Sequence, residues 1–170
     1  MTDSAGNYCR RSARVVLLDG SGRVLLLLFH DDPERPAAGH LWLTPGGGVR
    51  DGESLAVAAA RELHEETGLR VAPGALGPVV ARTSGYADLG WAEGVFLDVF
   101  FHHRVPDGLR IDTSGHDVRE RAHFAGHRWW TRADLAATAE RVVPLGLPAL
   151  LTGLAAGHTP ASPVELPWHH

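Results

Sequence analysis

Three glutamates spaced three and four residues apart are the residues best suited to chemistry in this chain. Glu62, Glu65 and Glu66 fall in the segment 54–67, whose Ala, Leu, Arg and Glu residues favour a helix. Positions i, i+3 and i+4 of a helix lie on one edge, so the three carboxylates would sit close together and repel each other. Hard oxygen ligands with no nearby cysteine favour Mg²⁺ or Mn²⁺ over zinc. The spacing therefore predicts a divalent-cation site, and such a site could accept a diphosphate by screening its charge.

The residues around these glutamates match a known pattern. From Gly47, five residues lead to Glu53, and seven more lead to the run Arg61-Glu62-Leu63-His64-Glu65-Glu66-Thr67-Gly68-Leu69. This stretch resembles in full the signature of the Nudix hydrolase family. The resemblance implies a divalent-metal-dependent hydrolase that cleaves the diphosphate linkage of a nucleoside diphosphate joined to another moiety. ADP-ribose, a nucleoside triphosphate and a sugar nucleotide are all compatible with it. Outside the signature, the resemblance is one of architecture only.

The resemblance also implies a role for each charged residue of the signature. The residues that match Glu62 and Glu66 are metal ligands, and the one that matches Glu65 joins them or helps to handle the attacking water. Glu53 is expected to support the metal shell. Arg61 is expected to pair with neighbouring glutamates and so hold their carboxylates in orientation.

Two groups outside the acidic helix complete the predicted site. The run Gly46 to Gly48 permits unusual backbone geometry, and the carbonyl of Gly46 resembles the main-chain metal ligand of the family. The general base of the family often lies outside the signature, and Glu120, Glu93 and Asp117 are candidates here. We favour Glu120 because it lies in a polar segment just before the last predicted strand. A solvated surface acid is the alternative interpretation.

Four aromatic side chains are candidates for stacking on a nucleobase. Trp129, Trp130, Trp91 and Tyr86 all present a flat ring, and such rings bind bases with little sequence demand. Packing in the core is the alternative for each of them. Trp129 and Trp130 alternate across a predicted strand, so at most one can face a given pocket. We single out Trp129 and Tyr86 as substrate-binding residues.

Two other functions compete with hydrolysis. A regulatory module of the same fold could bind a nucleotide without cleaving it, although a pure sensor has no need of a complete acidic cluster. Isopentenyl diphosphate isomerisation also resembles this fold, but it needs a reactive cysteine. Cys9, the single cysteine, precedes the first predicted strand and is poorly placed for that reaction.

The 11 histidines do not predict a zinc site. The sequence contains neither a His-Glu-x-x-His motif nor paired cysteines at zinc-binding spacing. His102 and His103 are adjacent in a predicted strand, so their side chains would point to opposite faces. We assign no role to His169 and His170.

Composition and charge narrow the choice of partner. Sixteen basic and 20 acidic residues give a formal net charge of -4, which provides no strong basic field for a nucleic-acid backbone. A small basic cluster, Arg10, Arg11 and Arg14, lies at the entry to the first predicted strand, and we interpret it as a solvated group of side chains. We therefore expect a small nucleotide-like diphosphate as substrate and no nucleic-acid polymer.

Hydropathy gives no indication of a membrane segment. The longest aliphatic run, residues 24–29, is too short to span a bilayer, and the first 14 residues lack the apolar stretch of a secretory signal. These observations predict a cytoplasmic protein without membrane contact, and the resemblance is compatible with a homodimer.

The order of strand and helix patterns is typical of an α/β protein. The turn sequence Asp19-Gly20-Ser21-Gly22 predicts a β-hairpin between the first two apolar runs. Gly68 is placed to end the acidic helix in a left-handed conformation. The predicted strands span residues 14–18, 23–29, 41–44, 79–83, 95–101 and 128–131, and two later helices span about 131–142 and 144–156.

Two segments between these elements are rich in glycine and polar residues. We predict that residues 84–94 and 106–126 are loops that face the substrate. Together with the resemblance, the pattern implies a Nudix-type three-layer α/β/α sandwich with a mixed β-sheet. We expect a single hydrolase domain over residues 1–157 and an extended C-terminal tail over residues 158–170.

Overall fold

The computed structural model describes residues 8–170, in which short strands alternate with helices. The strands are β1 (Arg10–Leu18), β2 (Val24–His30), β3 (His40–Leu43), β4 (Gly46–Gly48), β5 (Ala81–Asp88), β6 (Glu93–Arg104), β7 (Phe124–Trp130), β8 (Val142–Val143) and β9 (Val164–Glu165). The helices are α1 (Leu55–Thr67), α2 (Val118–His123), α3 (Arg132–Ala137) and α4 (Leu147–Ala155), with 3-10 turns at Pro36–Ala38 and Pro73–Leu76. Across residues 8–170, the helices fall short of the length and apolarity needed to cross a membrane.

The strands form one mixed sheet, as the sequence predicts. Its order is β8-β3-β2-β1-β6-β5-β9, with β4 paired to β1 and β7 paired to β2. Strand β1 runs parallel to β6, β3 parallel to β8 and β5 parallel to β9, whereas the other pairs are antiparallel. The sheet therefore places the glycine strand β4 directly beside β1.

Helices cover both faces of the sheet. Along β1, Val15 and Leu17 belong to a core cluster that also contains the apolar side of α1. The alternate residues Val16 and Leu18 belong to a second cluster, on the opposite face, with apolar residues of α3 and α4. Because alternate side chains of a strand point to opposite faces, the sheet is buried on both sides. This arrangement confirms the predicted three-layer α/β/α sandwich.

The predicted β-hairpin is present only at its turn. Asp19 accepts hydrogen bonds from the backbone N–H groups of Ser21 and Arg23 and pairs with the Arg23 side chain at 2.7 Å, which closes the reversal. Beyond the pair Leu18 and Val24, however, β1 and β2 separate. Strand β1 pairs instead with β4 and β6, while β2 pairs with β3 and β7. The separation lets the glycine strand lie beside the start of β1, where the acidic helix can reach it.

The two segments predicted as loops contain regular structure. Strands β5 and β6 stay paired from Ala81 and Phe100 to Asp88 and Glu93, so most of residues 84–94 form a hairpin with a short turn. The second segment, residues 106–126, contains α2 and the start of β7. The loop prediction is wrong in extent because glycine and polar residues also occur on strands that face solvent on one side.

Elements near the end of the chain are shorter than predicted. Helix α3 begins after Thr131, whose hydroxyl accepts a hydrogen bond from the Asp134 N–H at 3.0 Å, but it ends at Ala137. The next apolar pair, Val142 and Val143, joins the sheet beside β3. Within the tail, residues 158–170, strand β9 pairs with β5 and becomes an edge of the sheet. The tail is therefore attached to the sheet along part of its length.

The helix that carries the acidic residues is capped at both ends. Ser54 precedes it, and the Ser54 hydroxyl accepts a hydrogen bond from the Val57 N–H at 3.2 Å. Gly68 follows it with a φ of 76°, and its N–H donates to the carbonyl of His64 at 2.9 Å. The predicted helix and its glycine cap are confirmed.

Replacing Gly68 by Ala is expected to destabilise the fold. An alanine at this position would have to adopt an unfavourable left-handed backbone conformation. Its β-carbon would also lie 2.8 Å from the Cβ of Asp112. We expect the free energy of unfolding to fall by about 1–3 kcal/mol, measured by urea denaturation. Gly52→Ala is the matched control, because Gly52 has a φ of +74° but no atom within 4 Å of the point that its new methyl group would occupy. Equal losses for the two variants would contradict the proposed contact with Asp112.

Candidate active site and metal centre

The acidic edge of α1 meets α2 beside the glycine strand. Glu62 and Glu66 of α1 and Glu120 of α2 each place one carboxylate oxygen within 4.8 Å of the other two. Glu62 and Glu66 are buried and Glu120 is half-buried. Carboxylates this close cannot all be charged without a compensating cation, because their repulsion is strong in a poorly solvated site. The cluster therefore either holds protons or offers a cation site.

Glu66 is the most deeply buried member of the cluster. Its Oε2 accepts a hydrogen bond from the Gly46 N–H at 2.6 Å, which joins α1 to β4. Burial raises the pKa of the Glu66 carboxyl to about 8, and the neighbouring Glu62 and Glu120 carboxylates act in the same direction. At neutral pH the metal-free carboxyl is thus largely protonated, and a bound cation would favour its ionised form.

Glu62 lies against the same glycine strand. Burial raises the pKa of its carboxyl, while the guanidinium of Arg61 opposes that shift. A β-carbon added at Gly47 would lie 2.7 Å from the Glu62 carboxylate, so a larger residue here would displace that carboxylate. The Oε2 of Glu62 is buried and has no hydrogen-bond partner in residues 8–170.

Arg61 links the loop before α1 to the acidic cluster. Its Nε and Nη2 donate to the two carboxylate oxygens of Glu53 at 2.8 and 2.9 Å, and its Nη1 donates to Glu62 at 2.6 Å. Nη2 also donates to the carbonyl of Gly48 at 3.0 Å. Hydrogen bonding to Arg61 lowers the pKa of the Glu53 carboxyl to about 2. Arg61 is thus paired with neighbouring glutamates, while its orienting role and the support of a metal shell by Glu53 stay predictions.

Glu65 lies outside the three-carboxylate cluster. Its carboxylate is 3.4 Å from Nη1 of Arg61 and 3.7 Å from Nη2 of Arg50, and the side chain is 32% exposed. The structure thus places Glu65 next to the site and pairs it with arginines. Its predicted role as a metal ligand or water-handling group stays a prediction.

Glu120 is brought to the cluster by a short capped helix. The Asp117 carboxylate accepts from the Glu120 N–H at 2.8 Å, and the Glu120 carboxylate accepts from the Asp117 N–H at 2.9 Å. The preceding residue, His116, is buried between Phe29 and Phe124, with ring centroids 6.4 and 4.5 Å away. This aromatic packing anchors the start of α2. The other two candidate bases differ in position, since Asp117 lines the same cavity and Glu93 instead accepts a hydrogen bond from the Tyr86 hydroxyl.

The cluster opens into a catalytic cavity of about 380 Å³. Besides the acidic residues, its walls include Arg10, Arg14, Phe29, Leu43 and the glycines of β4. Arg14 donates through Nη1 to the carbonyls of Thr44 and Gly46, both at 3.1 Å. Gly46 lines the cavity, and its carbonyl, the predicted main-chain metal ligand, accepts a hydrogen bond from Arg14. The metal-binding role of this carbonyl stays a prediction.

Arg10 and Arg14 are functional candidates that the sequence analysis did not select. Each lies on β1 two positions from Ser12, and alternate residues of a strand face the same side. That alternation is the only signal that the sequence offers. Only the pairing of β1 with β4 shows that this side faces the acidic cluster.

The aromatic candidates do not line the catalytic cavity. Trp130 is buried in the core against Trp42, with ring centroids 5.1 Å apart, and Trp129 packs on the core cluster beneath α1. Tyr86 and Trp91 are exposed on the hairpin of β5 and β6. Substrate contacts by Trp129 and Tyr86 stay predictions, because their present neighbours are protein groups or solvent.

The donor set fits a divalent cation with a preference for oxygen ligands. Glu62, Glu66 and Glu120 supply carboxylate oxygens, and one of these oxygens, in Glu62, is buried without a partner among the described residues. No cysteine or histidine belongs to this cluster. Mg²⁺ and Mn²⁺ suit such ligands better than softer metals do.

Comparisons with known proteins identify the family to which the chain is similar. A family model described as the NUDIX domain matches residues 9–146. The RNA pyrophosphohydrolase of Caulobacter vibrioides (strain NA1000 / CB15N) is 31% identical over 179 residues, which cover 94% of this chain and 95% of that protein. The RNA pyrophosphohydrolase of Dinoroseobacter shibae is 48% identical over 69 residues, or 41% of this chain and 40% of that protein. The MutT protein from Methanosarcina mazei Go1 has a similar fold, with a TM-score of 0.60, 19% identity and coverage of 91% of this chain and 98% of that one.

Replacing Glu66 by Gln is expected to stabilise the metal-free protein. The pKa of this carboxyl rises from 4.5 to about 8 on folding, so ionisation of Glu66 opposes folding. The loss of folding free energy caused by this raised pKa is absent below pH 4.5, grows as the pH rises to about 8 and stays constant above pH 8. In EDTA at pH 8, we expect the variant to melt at least about 2–4 °C higher, which corresponds to about 1 kcal/mol for a chain of this size. The difference should vanish near pH 4.5.

Thermal unfolding across this pH range tests the expectation. Glu34→Gln is the control, because Glu34 is exposed and its replacement should leave the melting temperature unchanged at every pH. A Glu66→Gln effect that does not depend on pH would show that ionisation of the buried carboxyl is not the cause.

Proposed function

We propose that this chain, which belongs to the Nudix family, hydrolyses the diphosphate linkage of a nucleotide substrate with divalent cations bound at Glu62 and Glu66 and with Glu120 as the general base. The observation that carries the proposal is the convergence of these three carboxylates within 4.8 Å at the floor of a cavity. Mg²⁺ or Mn²⁺, when bound there, would screen the charge of the diphosphate and polarise a phosphorus–oxygen bond. The remaining work falls to side chains of the protein.

The proposed reaction is a direct displacement by water. The oxygen of one water molecule forms a bond to a phosphorus of the diphosphate, and the bond from that phosphorus to the bridging oxygen breaks. The water loses one proton to a base, and the leaving group departs as a phosphate ester or phosphate. Glu120 is the best-placed base because it is the half-buried member of the cluster, and the Asp117 N–H fixes its carboxylate.

Two arginines favour a poly-anionic substrate in this cavity. Arg10 and Arg14 line it opposite a cluster of acids, so the walls carry both signs of charge. Guanidinium groups bind phosphate oxygens through paired N–H donors. Arg14 is already held by two backbone carbonyls, which keeps its side chain in place before substrate arrives.

A small nucleotide is the substrate class we favour. The net charge of -4 gives little general attraction for a long nucleic acid. A second candidate is the 5′ end of an RNA, which is favoured by one observation: the Caulobacter vibrioides relative that matches 94% of this chain is an RNA pyrophosphohydrolase. Binding without cleavage, as in a regulatory module, is disfavoured because the acidic cluster is complete.

The cellular location and the oligomeric state of the protein are separate proposals. We infer a cytoplasmic enzyme that acts without membrane contact, on the basis of its charge pattern and the lack of a long apolar helix in residues 8–170. Homodimerisation is compatible with the family. Sedimentation equilibrium would measure the oligomeric state.

A magnesium-dependent substrate screen tests the function directly. The panel holds the four ribonucleoside triphosphates, ADP-ribose, a sugar nucleotide, a dinucleoside polyphosphate and a short 5′-triphosphorylated RNA, with products identified by mass. We expect hydrolysis of at least one member that depends on Mg²⁺ or Mn²⁺ and stops with EDTA. Binding of several members without turnover of any would contradict the proposal and support a regulatory module.

Variants of the acidic residues should rank by their place in the cluster. With the best substrate, we expect Glu66→Gln to abolish turnover and Glu120→Gln to lower kcat by about 10²–10⁴-fold. Glu65→Gln should lower kcat by no more than about tenfold, because Glu65 lies outside the cluster and pairs with arginines. The control is Glu34→Gln, which changes an exposed acid that does not line the catalytic cavity. A larger loss for Glu65→Gln than for Glu120→Gln would assign the base to Glu65 instead.

A further inference from the structure

The helix that carries Glu120 has no buried residue of its own. Helix α2 contains six residues, and each of them is exposed or half-buried. A helix this short is marginal in water when it is isolated, so α2 cannot fix Glu120 by its own stability. The Glu120 carboxylate nevertheless lies within 4.8 Å of the carboxylates of Glu62 and Glu66. The position of Glu120 is therefore set by the residues on either side of α2.

The C-terminal end of α2 is attached to strand β2. The ring Nδ1 of His123 is hydrogen-bonded to the carbonyl of His30 at 2.8 Å. The next residue, Phe124, begins β7 and lies opposite Phe29 of β2 in the sheet. These contacts hold one end of the helix, so the direction in which α2 points depends on how its other end is held.

His116 holds the N-terminal end of α2 by packing alone. Its ring is only 3% exposed and lies between Phe29 and Phe124, stacked on the first at an interplanar angle of 16° and edge-on to the second at 85°. Neither ring nitrogen of His116 has a hydrogen-bond partner among residues 8–170. We call the pair Phe29 and Phe124 the aromatic slot. Because the ring makes no hydrogen bond there, its shape is what keeps it in the slot.

Gly115 lets the chain lie directly against the backbone of α1. A β-carbon at Gly115 would lie 2.5 Å from the carbonyl oxygen of Glu65 and 3.1 Å from its Cα. These are backbone atoms of a helix, which cannot rotate away as the end of a side chain can, so a larger residue would push the segment off α1. The Asp112 N–H donates to the carbonyl of Thr67 at 2.9 Å and joins the same segment to the end of α1.

Hydrogen bonds connect His116 to the Glu120 carboxylate. Asp117 directly follows His116, and its N–H donates to Glu120 at 2.9 Å. The Arg121 side chain donates through Nη2 to the carbonyl of His116, also at 2.9 Å. A displacement of His116 would therefore be transmitted to Glu120 within one turn of chain.

We infer that Gly115 and His116 are positioning residues that set the distance from Glu120 to the carboxylates of α1. The inference rests on the proposed function, in which Glu120 is the general base. A base must lie within hydrogen-bond reach of the attacking water, and a misplacement of about 1 Å can cost about 100-fold in rate. Neither Gly115 nor His116 lines the catalytic cavity, so each acts through Glu120 and does not touch the substrate.

Replacing Gly115 by Ala tests the contact with α1. With the best substrate of the panel, we expect kcat to fall by about 10- to 100-fold and KM to change by less than about threefold, because the base is displaced while ground-state binding is kept. Gly74→Ala is the matched control, since a β-carbon at Gly74 would meet no atom within 4 Å. A parental kcat in Gly115→Ala would overturn the inference.

Two variants of His116 test the aromatic slot. We expect His116→Phe to keep kcat within about threefold of the parent, because a phenyl ring fills the slot and needs no hydrogen bond. His116→Ala empties the slot, and kcat should fall by about 10- to 100-fold. His127→Ala is the control, since His127 is an exposed histidine on β7. Equal losses in His116→Phe and His116→Ala would contradict an anchor that works by packing.

A double-mutant cycle distinguishes positioning of the base from a general structural effect. In the Glu120→Gln background, Gly115→Ala should lower kcat by less than about threefold further, because the group that it displaces is already inactive. Losses that multiply would show that Gly115 acts on α1 or on the fold as a whole, and would overturn the inference.

Amide hydrogen exchange in the metal-free protein tests the attachment of α2 without any turnover. The probe is the N–H of Arg121, which donates to the carbonyl of Asp117 at 2.9 Å. We expect this N–H to exchange at least about tenfold faster in His116→Ala and at the parental rate in His116→Phe, while the amides of α4 keep their rates in both.

The exchange and kinetic results separate this inference from the proposed function. If the parent hydrolyses no member of the panel but exchange responds as expected, the attachment of α2 through His116 stands and the hydrolase assignment fails. If the parent is active and His116→Ala alters neither the Arg121 exchange rate nor kcat, the hydrolase assignment stands and the positioning role fails.

Discussion

The structure of the site depends on holding carboxylates of like charge together in a poorly solvated place. Glu62, Glu66 and Glu120 lie within 4.8 Å of one another, and burial raises the pKa of both helix carboxyls. Such a cluster opposes folding unless protons or cations neutralise it. Backbone N–H groups and arginines around the cluster supply hydrogen bonds and positive charge to the carboxylates. Each of these contacts also joins α1 to another part of the fold.

Arg61 and the glycine strand β4 both hold the carboxylates of α1 in place. Arg61 joins Glu53, Glu62 and the carbonyl of Gly48 in one set of hydrogen bonds, so the loop before α1 cannot move without breaking them. The Gly46 N–H in turn fixes Glu66. Because the carboxylates are oriented before any ligand binds, little conformational entropy is lost when a cation arrives. The buried acids therefore lower the stability of the metal-free fold, but they form a cation site that needs little rearrangement on binding.

Sequence patterns predict best those features that depend on neighbours in the chain. The helix and its Gly68 cap lie within a short stretch, where local spacing determines which groups meet, and the resemblance adds that Arg61 pairs with neighbouring glutamates. Glu120 is a candidate for its place in a polar segment, and the structure brings it to the cluster through α2. The distinction between Glu65 and Glu120 is beyond sequence reasoning, because it depends on where α2 packs.

Long-range pairing explains the other differences. The hairpin of β5 and β6 resembles a loop in sequence because Gly85 and its polar neighbours are typical of loops, whereas the tail covers that glycine with Trp168. Arg14 resembles a solvated side chain because its partners, the carbonyls of Thr44 and Gly46, are about 30 positions away in sequence. Contacts of this kind are set by strand order, which a local pattern does not contain.

Arg10 and Arg14 place positive charge in the same cavity as the buried acids. Arg14 is held by the carbonyls of Thr44 and Gly46, so its guanidinium is in place before any ligand arrives. A cation would bind among the carboxylates, whereas guanidinium groups bind the negative oxygens that the cation does not contact. Because the cavity carries both signs of charge, it favours a ligand that brings a divalent cation and several negative oxygens together over a free cation or a free anion.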